Sequence, residues 1–302
     1  LVEAARAVRV LLATGLTALG ALGASRAPWH AATAVGSARE AAISDWLSRS
    51  TETWNWPKST QVQDPLSVRM ICQVFATGVE SLLGAGRALE AATAQVDDNP
   101  VIDGEAVLTS GGSLPLDVSL QLQGTQLSLA HIARNTFNRC VLLGNGGRSL
   151  PVNLVPSEAG ATGFGPMLKL AGDLFARLLS LSLPVSAQAM VVAGGMEDEA
   201  AFLPLIIERL EEQVAALKGL AAIEAILAAQ AIYLTGDTPS GVAGVINACV
   251  REHMAPYTVD RPLSAEIEAV EASLNGPALR KALLAASHLS DFDTFFSLDL
   301  FA

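Results

Sequence analysis

Three cysteines, four histidines and a charged fraction of 16% leave little material for several kinds of chemistry. Lys and Arg number 19 against 30 Asp and Glu, giving a net charge of −11, and no basic cluster is present. A protein that neutralises phosphates needs such clusters, so nucleic-acid binding is excluded. Cys72, Cys140 and Cys249 are odd in number and sit within apolar helical patterns. That reads as buried thiols in a reducing cytoplasm, not as a disulfide framework or a metal site. His30, His131, His253 and His288 show no ligand spacing, and no metal is expected. No glycine-rich phosphate loop follows a strand, no Ser/His/Asp order stands out, and no internal repeat is found.

Long hydrophobic runs are also scarce. Val10 to Ser25 is too short to span a bilayer comfortably, and Leu178 to Met196 is interrupted by Pro184 and carries Ser182, Ser186 and Gln188. Both read as protein-buried segments rather than membrane spans. The run at Val10 lacks the basic flank of a secretory signal, so the expected location is cytoplasmic. With Leu1 in place of an initiator methionine, the chain reads as one that has been cut or whose first part is left out.

What is present is helix. Half of the 302 residues are apolar and the mean hydropathy is positive, which points to a large core or one shared with other copies. Residues 1–60 form an N-terminal helical segment and a connection, 61–236 a long-helix bundle core, and 237–302 a set of short C-terminal helices. From Gln61 to Pro100 the pattern predicts one long helix, a rod of about 45 Å. Asp64-Pro65 starts it, apolar residues recur from Val68 to Leu89, and Asp97-Asp98-Asn99-Pro100 stops it. Val101 to Leu108 reads as a hairpin turning at Asp103-Gly104. A second helix, with Ser113 as N-cap, ends near Gly144 and carries a polar stripe at His131, Arg134, Asn135 and Asn138. A third runs from Pro166 to Leu183 with a charge ladder at Lys169, Asp173 and Arg177. A fourth extends from near Glu197 to Leu234, with Glu208, Glu211, Glu212 and Lys218 on one side. Shorter helices follow at Ser240 to His253, Ser264 to Leu274 and Pro277 to His288. The fold class is therefore all-α: a bundle of long helices, shared in an oligomer, with one small hairpin.

Polar residues where a bundle should be apolar carry the chemical information. Arg69 shares a face with Leu66 and Gln73 and needs a partner. A buried Glu or a carboxylate ligand would suit its planar fork. Glu197-Asp198-Glu199 is placed at the head of the fourth helix, where the dipole favours negative charge. A plain acidic N-terminus accounts for that cluster equally well. Asn99 reads by itself as a residue of a helix-ending turn.

Several motifs together resemble a known family. Gln61-Val62-Gln63-Asp64-Pro65-Leu66-Ser67-Val68-Arg69, Val96-Asp97-Asp98-Asn99-Pro100 and Ser110-Gly111-Gly112 look like the central region of the histidine and phenylalanine ammonia-lyases. Gly144-Asn145-Gly146-Gly147 with Leu150-Pro151, Glu197-Asp198, Ala229-Gln230-Ala231-Ile232 and Asp260-Arg261-Pro262-Leu263 follow in the family's order and at about its spacing. The resemblance implies an all-helical homotetramer with a shared bundle and active sites built from three subunits. It implies elimination of ammonia from an aromatic or related L-amino acid, or 2,3-migration of its amino group. The prosthetic group implied is 4-methylideneimidazol-5-one (MIO), an electrophile formed autocatalytically from an internal Ala-Ser-Gly. By position, Arg69 resembles the arginine that binds the substrate carboxylate and Asn99 the asparagine that supports it. Glu197 resembles the catalytic glutamate near the amino group.

The sequence departs from the pattern at several points. The resemblance places the MIO segment upstream of Leu1, on an N-terminal portion or companion chain, so no cofactor-binding residue is expected here. Thr109-Ser110-Gly111 and Pro239-Ser240-Gly241 only mimic a ring-forming tripeptide. Leu66 occupies the position of the family's proton-abstracting tyrosine, and Met196 and Leu114 replace a glutamine and an aromatic residue at the substrate site. Two functions follow: a carbon–nitrogen lyase or aminomutase with an altered proton-transfer residue, or a catalytically degenerate structural or regulatory partner of such a lyase.

Overall fold

A computed structural model describes residues 1–286 except 60, 97, 157–159 and 189, so the reading of His288 lies outside the described residues. Eleven α-helices occur among these residues, together with one two-stranded sheet. The helices are α1 (Val2–Ala21), α2 (Ala27–Val35), α3 (Ala38–Arg49), α4 (Leu66–Arg69), α5 (Ile71–Thr93), α6 (Leu116–Gly144), α7 (Gly165–Leu181), α8 (Leu203–Thr235), α9 (Gly241–His253), α10 (Ser264–Leu274) and α11 (Pro277–Ala286). The class is all-α, as expected from the spacing. Strands β1 (Val101–Asp103) and β2 (Ala106–Leu108) pair antiparallel, with Asp103 opposite Ala106, so the turn falls on Gly104 and Glu105, one residue beyond the expected Asp103-Gly104.

The centre of the molecule is α8. From Leu217 to Ile232 it alternates alanine with leucine and isoleucine and is buried nearly all round, as a helix enclosed on every side must be. Alanine supplies high helix propensity and short side chains, so neighbours approach closely. α1 and α6 pack most extensively against it, with α7, α9 and α10 around them, while α5 lies along α6. α1 and α8 are the two described helices long and apolar enough to cross a membrane. Their apolar windows are 89% and 83% buried within the protein. Cys72, Cys140 and Cys249 are free and buried, and burial pushes the Cys72 thiol up to about 12.

Ser113 does not cap the second helix, which begins at Leu116 after Pro115 with no side-chain cap. Two larger corrections concern other helices. The rod from Gln61 to Pro100 is broken. α4 is a single turn, Met70 leaves helical geometry (φ −93°, ψ 15°), and α5 then runs 23 residues, about 35 Å. The break has a tertiary cause. In a continuous helix the Ser67 carbonyl would accept from the amide of Ile71. Instead it accepts from Asn135 Nδ2 at 2.9 Å and Arg139 Nη1 at 3.4 Å, both on α6. Asp64 does not cap this turn either: its Oδ2 accepts from the Ser25 amide at 2.8 Å, and Pro65 is the residue before the helix. The second correction concerns α8, which begins at Leu203 and not near Glu197. Pro204 in its first turn fixes the start, and Phe202 before it is left-handed (φ 49°).

Candidate active site

Arg69 ends α4 and lines a surface cleft of about 440 Å³. Pro28 and Ala31 of α2, Gln63 and Asp64 of the connection, and Gln73 of α5 are among the other walls. The Arg69 Nε donates to the Asp64 backbone carbonyl at 2.7 Å, which turns the guanidinium back over the start of its own turn. Among the described residues the two Nη groups have no partner, and no carboxylate side chain meets them. The buried glutamate considered for Arg69 is therefore not its partner. One turn on, Gln73 Nε2 donates to Glu40 Oε2 at 3.0 Å, fixing that amide at the cleft wall. Leu66 stands at the other end of α4 and is 58% exposed. In one chain, then, the cleft holds a positioned guanidinium beside apolar surface, a combination that can receive the carboxylate of a small ligand.

The remaining candidates lie elsewhere. Asn99 follows α5, joined to Pro100 by a cis peptide bond, and its Oδ1 accepts from the Ser110 amide at 2.9 Å. Ser110 Oγ in turn accepts from the Gly112 amide at 3.0 Å. Two of the motifs are thus brought together by the hairpin, whose strands return the chain from Pro100 to Ser110. Leu114 sits just beyond, 40% exposed. Glu197 is exposed and lies on an isolated bridge, with the Val192 amide donating to the Glu197 carbonyl at 2.9 Å. The turn between them takes left-handed backbone at Ala193, Gly194 and Gly195. The helix-dipole argument for Glu197 falls with the corrected start of α8. Met196 beside it is 85% exposed. Neither Asn99 nor Glu197 lines the Arg69 cleft.

The polar stripe of α6 divides. His131 and Arg134 pair on the surface, with Arg134 Nη2 2.9 Å from His131 Nδ1, and Asn138 is exposed. Asn135 is buried and belongs to a network the sequence reading missed. Arg139 and Glu224, both fully buried, pair at 2.6 Å, and Thr14 Oγ1 donates to the second Glu224 oxygen at 2.6 Å. The available signal was a lone Glu224 in the apolar stretch of α8, whereas Arg139 follows the polar residues Arg134, Asn135 and Asn138. Arg177 pairs with Glu212 of α8, so the charge ladder of α7 ties two helices.

Two further motifs serve architecture. Gln230 is buried and clamps backbone on both sides. Its Nε2 donates to the carbonyls of Leu154 and Tyr257 at 3.1 and 2.9 Å, and its Oε1 accepts from the Tyr257 amide at 3.0 Å. Asp260 accepts from the Thr162 amide at 2.8 Å and from the Tyr257 hydroxyl at 2.7 Å. The Thr162 amide and the Tyr257 hydroxyl hold its carboxyl down at about 2. Arg261 stacks on the Tyr257 ring and pairs with Glu266 at 2.9 Å.

The sequence profile of the aromatic amino acid lyases matches residues 1–252. This chain belongs to that family. It is 30% identical over 225 residues to the histidine ammonia-lyase of Salmonella choleraesuis (strain SC-B67), a match covering 73% of the chain and 44% of that protein. The chain thus spans about half the length of the relatives it matches. Its fold is similar to that of histidine ammonia-lyase from Trypanosoma cruzi, with a TM-score of 0.84, 19% identity, and coverage of 97% of this chain and 58% of that one. It is equally similar to ergothionase of Treponema denticola, an ergothioneine-degrading enzyme, at TM-score 0.84 and 22% identity, covering 92% and 57%.

The segments present do not fit the family's prosthetic group. Ser110 sits in an exposed loop and its amide is committed to Asn99. Ser240 immediately precedes α9, with its hydroxyl 3.0 Å from that of Thr53. Neither tripeptide lies in the water-excluded setting that a dehydrating backbone cyclisation requires.

Proposed function

We propose that this chain is the central and C-terminal part of an ammonia-lyase or aminomutase acting on an aromatic or related L-amino acid. Arg69 receives the substrate carboxylate. Asn99, held by the Ser110 loop, supports that end of the ligand, and Glu197 serves the amino group as the catalytic carboxylate. MIO belongs to an N-terminal portion or companion chain, and the complete unit is a homotetramer of the cytoplasm. Sites built across subunits account for the separation of Arg69, Asn99 and Glu197 within one chain. The observation that carries this reading is the cleft itself. It presents a guanidinium fixed through Nε with its fork open, the arrangement a carboxylate ligand uses.

Leu66 cannot move a proton. Loss of a general base typically costs about 10²–10⁴ in rate, so another group must take the β-proton or the reaction is slow. The test is incubation of the complex, with its N-terminal portion, with Phe, Tyr or His, following ammonia, arylacrylate and β-amino acid. Absence of all three products rejects the enzymatic reading.

A second reading rests on Leu66, Leu114 and Met196, three apolar and exposed side chains at positions where the family is polar or aromatic. Here the chain is a catalytically degenerate structural or regulatory partner. Leu66→Tyr separates the two. Gain of turnover from nothing marks a degenerate site, whereas loss of a native reaction marks the leucine as a specificity residue.

A further inference from the structure

The turn that carries Arg69 is held from inside the bundle. α4 is four residues long, has no side-chain cap and buries only Val68, so it has little means of fixing its own orientation. Its Ser67 carbonyl nevertheless receives two donors from α6. One is Asn135 Nδ2, and the other is Arg139 Nη1, which also donates to Asn135 Oδ1 and so sets that amide. The Arg139 fork is spent in every direction. Nε goes to Glu224 Oε1 at 2.6 Å and Nη2 to Thr136 Oγ1 at 3.1 Å. α1 makes room for it with Gly15, where a Cβ would stand 3.0 Å from Arg139 Nη2.

Burying two charges is costly, and an apolar pair of similar volume often fills such a space with equal or greater stability. What an apolar pair cannot do is grip a backbone carbonyl. A guanidinium that faces a carboxylate on one edge and a carbonyl on another can. We infer that Arg139, set by Glu224, is a positioning residue. Directly and through Asn135 it holds the Ser67 carbonyl, interrupts the helix at Met70, and aims Arg69 into its cleft. The inference extends the proposed role of Arg69 to a residue buried behind it.

The experiment uses the complete protein, with its N-terminal portion, and two variants. Arg139→Lys keeps the charge beside Glu224 but lacks the fork. Arg139→Met/Glu224→Leu removes both charges and keeps the volume. Backbone hydrogen exchange is read by mass spectrometry, and binding of 3-phenylpropionate by calorimetry. In both variants exchange over residues 66–70 is expected to accelerate at least tenfold while the body of α5 and α6 keeps its protection. The Kd for 3-phenylpropionate rises at least tenfold in both. Unchanged exchange at residues 66–70 overturns the inference. So does uniform acceleration along α5 and α6, the mark of a merely structural pair, and so does faster exchange with unaltered binding. If the parent protein does not bind 3-phenylpropionate, the carboxylate role of Arg69 fails, while the exchange data still decide whether Arg139 holds the turn.

Discussion

At the scale of the residue, the two arginines near α4 divide the work: Arg69 keeps its fork open at the cleft, while Arg139 is fully buried behind it and paired with Glu224. Arg69 is legible because a contiguous motif surrounds it, although part of its cleft is walled by α2, far upstream in sequence. Arg139 was not legible, because its partner Glu224 lies 85 residues away and helical periodicity pairs only residues three or four apart. Glu224→Leu alone leaves a buried guanidinium without its counter-charge. The expected cost is about 3–5 kcal/mol in denaturant-induced unfolding. Asp260 gives a pH-dependent counterpart at the surface. Its folded value of about 2 lies below its ordinary 3.8. Its contribution to stability is therefore complete above the ordinary value and is lost as pH falls from there through about 2. Asp260→Asn is expected to flatten that acid loss, read as urea midpoints at mildly acidic and strongly acidic pH.

At the scale of the element, the hairpin, α6 and α10 could be placed from turn residues and apolar spacing. The break between α4 and α5 could not, since its cause is a pair of donors on another helix. The start of α8 is legible in Pro204, a first-turn proline, and the acidic cluster at Glu197 lies outside the helix. α1 shows how finely such helices are fitted. A Cβ on Gly20 would stand 1.9 Å from the Trp54 ring, which is buried and meets Trp56 edge-on. Gly20→Ala is therefore expected to cost about 1–3 kcal/mol by overpacking, measured as a lowered melting temperature.

At the scale of the whole molecule, one chain encloses its own core yet leaves apolar side chains outside it. Ile102 and Val107 on the hairpin are 74% and 70% exposed, with Val96 and Leu108 nearby also exposed. Such surface fits the proposed oligomer, whose copies would cover it. Ile102→Ser/Val107→Ser is expected to leave the helical circular dichroism unchanged and to lower the native mass by light scattering. An unaltered mass would place the hairpin outside the assembly contacts.

The joint at Met70 has a consequence for how such a protein diversifies. The turn bearing Leu66 and Arg69 is set by contacts behind it, while α5 is set by its packing along α6. Substitutions that retune the cleft need not disturb the register of the long helix, and changes along that helix need not redirect the guanidinium. The shape of the cleft and the packing of the long helix can therefore drift under separate selection within eight consecutive residues, 66 to 73.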